Sequence, residues 1–128
     1  KAGAARIFQG MFDTSLYTDQ KRLPELFCGF MRRPQRGPVS YPVACSPQAW
    51  AAAAPFAFLA ACLGLELDHD RNRVLLKNPI LPGFLDGVTL YNVKLRDSRL
   101  DLRFQCYDGD VTVSVVRRHG DAQVVVTK

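Results

Sequence analysis

The sequence predicts an α+β fold, and three observations carry that expectation. Apolar residues recur at helical spacing near the start: Ala4, Ile7, Phe8, Met11, Phe12 and Leu16. A second run, Ala49 to Leu63, is built almost wholly from alanine, leucine and aromatic residues. After Glu66 the pattern becomes an alternation of polar with β-branched or aromatic residues, punctuated by turn dipeptides. Two helices should therefore be followed by a small antiparallel sheet, with residues 1–66 and 67–128 as the two parts.

The first helix should span Ala4 to Leu16, with Arg6, Gln9 and Asp13 turned to solvent. Tyr17 to Arg22 breaks its pattern. From Cys28 to Cys45 the chain collects Gly29, Pro34, Gly37, Pro38 and Pro42, too many breakers for a regular element. A loop of this length inside a compact domain is commonly functional. Ser46-Pro47 reads as a helix start, a side-chain oxygen for the free N–H groups followed by a proline preset for the first turn. The second helix should then run to Leu63, kinked at Pro55 and stopped by Gly64. Because it is apolar all round, it wants neighbours on several sides.

Strands are expected at Val74–Lys77, Val88–Leu95, Leu100–Tyr107, Val111–Arg117 and Gln123–Thr127. Leu100, Leu102, Phe104 and Cys106 fall on one face, with Asp101, Arg103 and Gln105 on a wet one. Asp108-Gly109 reads as a tight hairpin turn.

Composition narrows the function classes. The 48% hydrophobic content belongs to a folded chain rather than a disordered one. No apolar run is long enough for a membrane helix, which needs about 18 residues. The formal charge of +5 arises from interleaved signs, without a basic stripe beside stacking aromatics, so no nucleic-acid partner is expected. Cys28, Cys45, Cys62 and Cys106 are scattered, with no CxxC pair and no clustered histidines, so no metal and no cofactor are expected. A Cys28–Cys45 bridge across the loop is geometrically allowed. Free thiols in a cytoplasmic protein are the simpler reading.

Two short stretches stand out: Arg22-Leu23-Pro24-Glu25-Leu26-Phe27-Cys28-Gly29-Phe30, and Pro42 to Trp50 with Gln48-Ala49-Trp50 opening the alanine-rich helix. In this order and spacing they resemble the C-terminal end of bacterial amylo-α-1,6-glucosidases, the glycogen-debranching-related glycosidases of the six-hairpin group. The resemblance covers roughly residues 4 to 66, with a β-rich tail following. It implies that residues 1–66 are the closing helices and site loop of an (α/α)₆ toroid. It also implies an inverting hydrolase acting on α-glucosidic linkages of an oligo- or polysaccharide, with Glu25 as the general base.

Inverting chemistry needs two carboxyl groups about 6.5–9.5 Å apart, and no residue of this chain matches the family's acid. The chain is therefore expected to be a C-terminal piece, inactive alone, whose partner is the N-terminal part of its own protein. The opening Lys1-Ala2-Gly3, without Met, fits that expectation. Gln48 can bond a sugar hydroxyl or cap the backbone. Trp50 can stack on a pyranose or serve as core. Arg32 and Tyr41 can line a polyol-binding cleft or sit on a solvated loop. The competing class is a non-catalytic interaction domain that forms a homo-oligomer through its apolar helix.

Overall fold

The computed structural model describes residues 1–128. Helix α1 spans Ala2–Ser15 and α2 spans Ala49–Leu63, joined by a long segment whose only regular element is a 3₁₀ turn at Asp19–Lys21. Six strands follow: β1 Leu65–Asp68, β2 Arg73–Lys77, β3 Gly87–Leu95, β4 Ser98–Tyr107, β5 Asp110–His119 and β6 Gln123–Thr127. They form two three-stranded sheets, in the orders β1-β2-β6 and β3-β4-β5.

The α+β class holds, but the closing helices of a toroid are not there. The two helices do not sit in a ring of helical hairpins. They lean on each other and end on the sheets, with Cys62 and Leu63 at the end of α2 wholly buried. One apolar core draws on both sheets and the helix: Leu63, Val74, Leu76, Leu95, Leu100, Leu102, Phe104, Val111 and Ala122. The physical reason lies in the distribution of large apolar residues. Most of those that can be packed tightly are in the strands, so the sheets, not helical neighbours, bury the end of α2.

Two local devices fasten the helices to the strands. Gly64 closes α2 in the left-handed region (φ 60°) and leads straight into β1. A Cβ at that position would stand 2.2 Å from the Lys77 carbonyl oxygen, so the junction admits only glycine. The Lys1 side chain donates to the carbonyls of Cys62 and Lys77, strapping the start of α1 across the same corner. Beside it, Phe84 from the loop before β3 stacks on Phe12 at 4.1 Å and meets Phe8 edge-on at 5.1 Å.

The sheets differ from the single antiparallel sheet expected. β1 is an additional short strand, pairing antiparallel with β2 from Leu65↔Leu76 to Asp68↔Arg73. β6 returns to the other side of β2 and runs parallel to it. β3, β4 and β5 form the expected antiparallel meander. Asp108 and Gly109 both have positive φ in the tight turn between β4 and β5, as their pairing of types requires.

Asp101 does not lie on a wet face. It is 4% exposed, because the β3–β4 pairing is irregular between Leu90 and Val93 and the displaced backbone closes over it. Its Oδ1 accepts the Asn92 N–H at 2.8 Å, and its Oδ2 pairs with the Arg117 guanidinium at 3.2 Å. Cys106, expected on the core face, is exposed. Asp101→Ala should lower stability by about 1–3 kcal/mol, since a backbone N–H at the bulge loses its only acceptor. Asp101→Asn keeps that acceptor and should lose less than half as much. Urea unfolding of the two variants separates these outcomes; equal losses would assign the effect to the ion pair alone.

Candidate functional site

The 22–48 segment positions the residues singled out by sequence. Leu23, only 5% exposed, anchors its start, while Pro24 and Glu25 are half-buried beside it. Glu25 and Cys45, twenty residues apart, hold each other by two hydrogen bonds. The Glu25 N–H donates to the Cys45 carbonyl at 2.9 Å, and the Cys45 N–H donates to Glu25 Oε2 at 3.0 Å. The second carboxylate oxygen, Oε1, takes no donor from the protein. The two conspicuous sequence stretches are thus brought together at this one residue pair.

Gln48 takes the capping role. Helical geometry begins at Ala49 rather than at Pro47, and Gln48 Oε1 accepts the Ala49 N–H at 3.1 Å. Ser46 lies too early to cap. The Gln48 side-chain amide nitrogen makes no bond within the protein. Trp50 is not core: it is 65% exposed on the first turn of α2. Phe56 is likewise exposed further along the same helix, so the apolar surface expected of α2 is uncovered.

Two hollows flank the segment. A cleft of about 770 Å³ lies between α1 and residues 27–39, and Arg32 lines it. A smaller hollow of about 160 Å³ is lined by Tyr41 together with Pro24 and Leu26, the two neighbours of Glu25. Tyr17, Phe27, Pro38 and Val39 border both hollows, which lie side by side. Glu25, Gln48 and Trp50 line neither. Comparison with protein-family models, with curated proteins and with solved structures gave no match. The chemistry is therefore read from the residues themselves.

No other carboxyl group is hydrogen-bonded to Glu25. Asp13, on α1, accepts the Gln9 side-chain N–H at 2.8 Å and faces the larger cleft, and Asp19 borders the smaller one. No three His, Cys, Asp or Glu side chains converge as a metal site would require. Sequence reasoning passed over Arg6 and Tyr17, which the structure sets opposite the loop. Their signal was the helical spacing Arg6, Gly10, Asp13, Tyr17, which places all four on one face of α1 and its extension.

All four cysteines are free thiols, in unlike settings. Burial pushes the Cys62 thiol pKa up, partly offset by the Lys1 ammonium beside it. Cys45 and Cys106 are exposed. A maleimide reagent at neutral pH should label Cys45 and Cys106 in the native protein and reach Cys62 only after denaturation, because the thiolate is the reacting form and burial withholds both it and access. Native labelling of Cys62 at the rate of the exposed thiols, read by peptide mass spectrometry, would contradict the packing of α2 on the sheets.

Proposed function

We propose that this chain supplies the general-base carboxylate of an inverting α-glucosidase, and that Glu25 is that base. The observation that carries the reading is the reciprocal Glu25–Cys45 clamp. It joins the two stretches on which the resemblance rests and leaves Oε1 free to take a proton from water. In such a reaction the base deprotonates a water attacking the anomeric carbon, while a second carboxylic acid protonates the departing glycosidic oxygen from the opposite side. That acid would come from protein outside these 128 residues, and the chain by itself would not turn over. The substrate would be an α-glucan or oligosaccharide, with an α-1,6 branch as one candidate linkage.

Sugar hydroxyls would be met by Gln48, whose amide nitrogen is free, and by Tyr41, which shares a hollow with the neighbours of Glu25. No helix is long and apolar enough to cross a membrane, and free thiols accord with a cytoplasmic setting. The test is the anomeric configuration of the first sugar released by the full-length protein, followed by proton NMR, with and without Glu25→Gln. Release with retention would exclude the inverting role.

A second reading has its own observation. Trp50 and Phe56 leave the apolar helix uncovered, as an interaction domain that pairs through α2 would need. It predicts self-association of the wild type that Trp50→Ala or Phe56→Ala abolishes without touching any hydrolysis, checked by sedimentation.

A further inference from the structure

We infer that the cleft between α1 and residues 27–39 is a binding site for a small organic anion carrying phosphate or carboxylate. The inference does not rest on the Glu25 chemistry, since Glu25 is not among the residues that line this cleft. Four guanidinium groups, those of Arg6, Arg32, Arg33 and Arg36, border the cleft, and one carboxylate, Asp13, faces them. None of the four arginines enters a salt bridge anywhere in the structure. Asp13 is engaged by Gln9 instead.

Four positive charges against one negative charge around a hollow leave a net positive local potential, even with the arginines exposed to solvent. An anion would offset that potential. Guanidinium groups suit it because their planar fork of donors matches two oxygens of a phosphate or a carboxylate at once.

One wall is helix α1 and the other an irregular, largely exposed segment, and two close contacts hold them together. Arg32 lies across α1 at Gly10, where a Cβ would meet its Nη2 at 2.7 Å, so the missing side chain lets the guanidinium sit against the helix. At the other end Gly37 presses on the Tyr17 side chain, where an added Cβ would come within 2.7 Å of the Tyr17 Cβ and 2.9 Å of the ring. The volume of about 770 Å³ falls in the range of small-molecule sites. Phe27, Phe30 and Met31 give it apolar surface against which a ring or carbon chain can lie. A long polyanion is less well served, because the positive groups surround a hollow instead of forming a track along which a backbone could run.

Isothermal titration of the protein with inorganic phosphate, glucose 6-phosphate, glucuronate and glucose tests the inference. Saturable binding is expected for glucose 6-phosphate or glucuronate and none for glucose; whichever of the two binds more tightly tells phosphate from carboxylate. Arg32→Gln and Arg36→Gln should each weaken binding at least about tenfold, the loss of one charge-assisted bond. Arg99→Gln, on the sheet and away from the cleft, should leave it unchanged. Circular dichroism and the thermal midpoint of each variant confirm that the fold is kept, and a double variant Arg6→Gln/Arg33→Gln replaces any that is not.

The inference is overturned if no charged probe binds below about 10 mM. It is also overturned if Arg99→Gln weakens binding as much as the cleft variants. Preferential binding of a twelve-nucleotide single strand over every small anion would overturn it too. Failure here leaves the inversion test of Glu25 untouched, and failure of that test leaves this one standing.

Discussion

Glu25→Gln should reduce sugar release by the full-length protein about 10²–10⁴-fold, the range that general-base assistance supplies, while leaving the unfolding transition in place. Glutamine retains an amide oxygen that can accept the Cys45 N–H now bonded to Glu25 Oε2 at 3.0 Å, and the backbone bond in the other direction is unaffected. The substitution therefore keeps the clamp and removes only the ability to take a proton.

Glu25→Ala is the necessary contrast. It deletes both functions, so it should lose the same activity and about 1 kcal/mol of stability besides, the usual worth of one hydrogen bond. If Glu25→Gln turns over normally while Glu25→Ala is merely less stable, the residue is a loop clamp and the catalytic proposal fails. Rates measured at saturating substrate, alongside thermal melts of the same preparations, distinguish the two.

Phe104→Ala should be the most damaging single change to the fold, costing about 3–5 kcal/mol. Phe104 is wholly buried in β4, the middle strand of its sheet, within the core shared by both sheets and the end of α2. Removing the ring withdraws a large apolar area and leaves a void that neighbours on three elements cannot all move to fill. Against a typical total of about 5–15 kcal/mol, that loss is about one-fifth of the stability at the least and the whole of it at the most.

Phe56→Ala provides the scale. The same chemical change at a residue 74% exposed on α2 should stay within about 0.5 kcal/mol for the isolated chain. Urea titrations should show the midpoint moving for Phe104→Ala with little change in slope. A loss below about 1 kcal/mol at Phe104 would mean that the two sheets do not share a core.

Much of the local structure was legible in the residues. The β3, β4, β5 and β6 segments follow from alternation, and the Asp108-Gly109 hairpin follows from the need for positive φ in a two-residue turn. Gly64 marked the end of α2 correctly for the same reason. The start of α2 was misjudged. Ser46-Pro47 has the chemistry of a cap and a first turn, yet Gln48 does the capping, because the chain turns before it becomes helical and capping depends on where the backbone bends.

The role of Asp101 was hidden for a different reason. Alternation assigns it to solvent, whereas irregular registers on both sides of β4 set it against Asn92 of β3 and Arg117 of β5. The toroid expectation, which rested on the resemblance of two short stretches, failed because such motifs do not determine which elements pack against α2.

By itself, then, the sequence determined both helices and the strands from β2 to β6 to within a few residues, though not β1, and it marked Glu25 and the Pro42–Trp50 stretch as unusual. Those properties depend on side chains a few residues apart. The tertiary structure alone decided that β6 lies parallel to β2, that Leu63 closes the core of two sheets, and that Glu25 meets Cys45. It also decided that Arg6 and Arg32 line one cleft. Each of these joins residues separated by twenty or more positions. Such contacts form only where burying the common core outweighs the entropy of closing the chain, and no local pattern of residues encodes that balance.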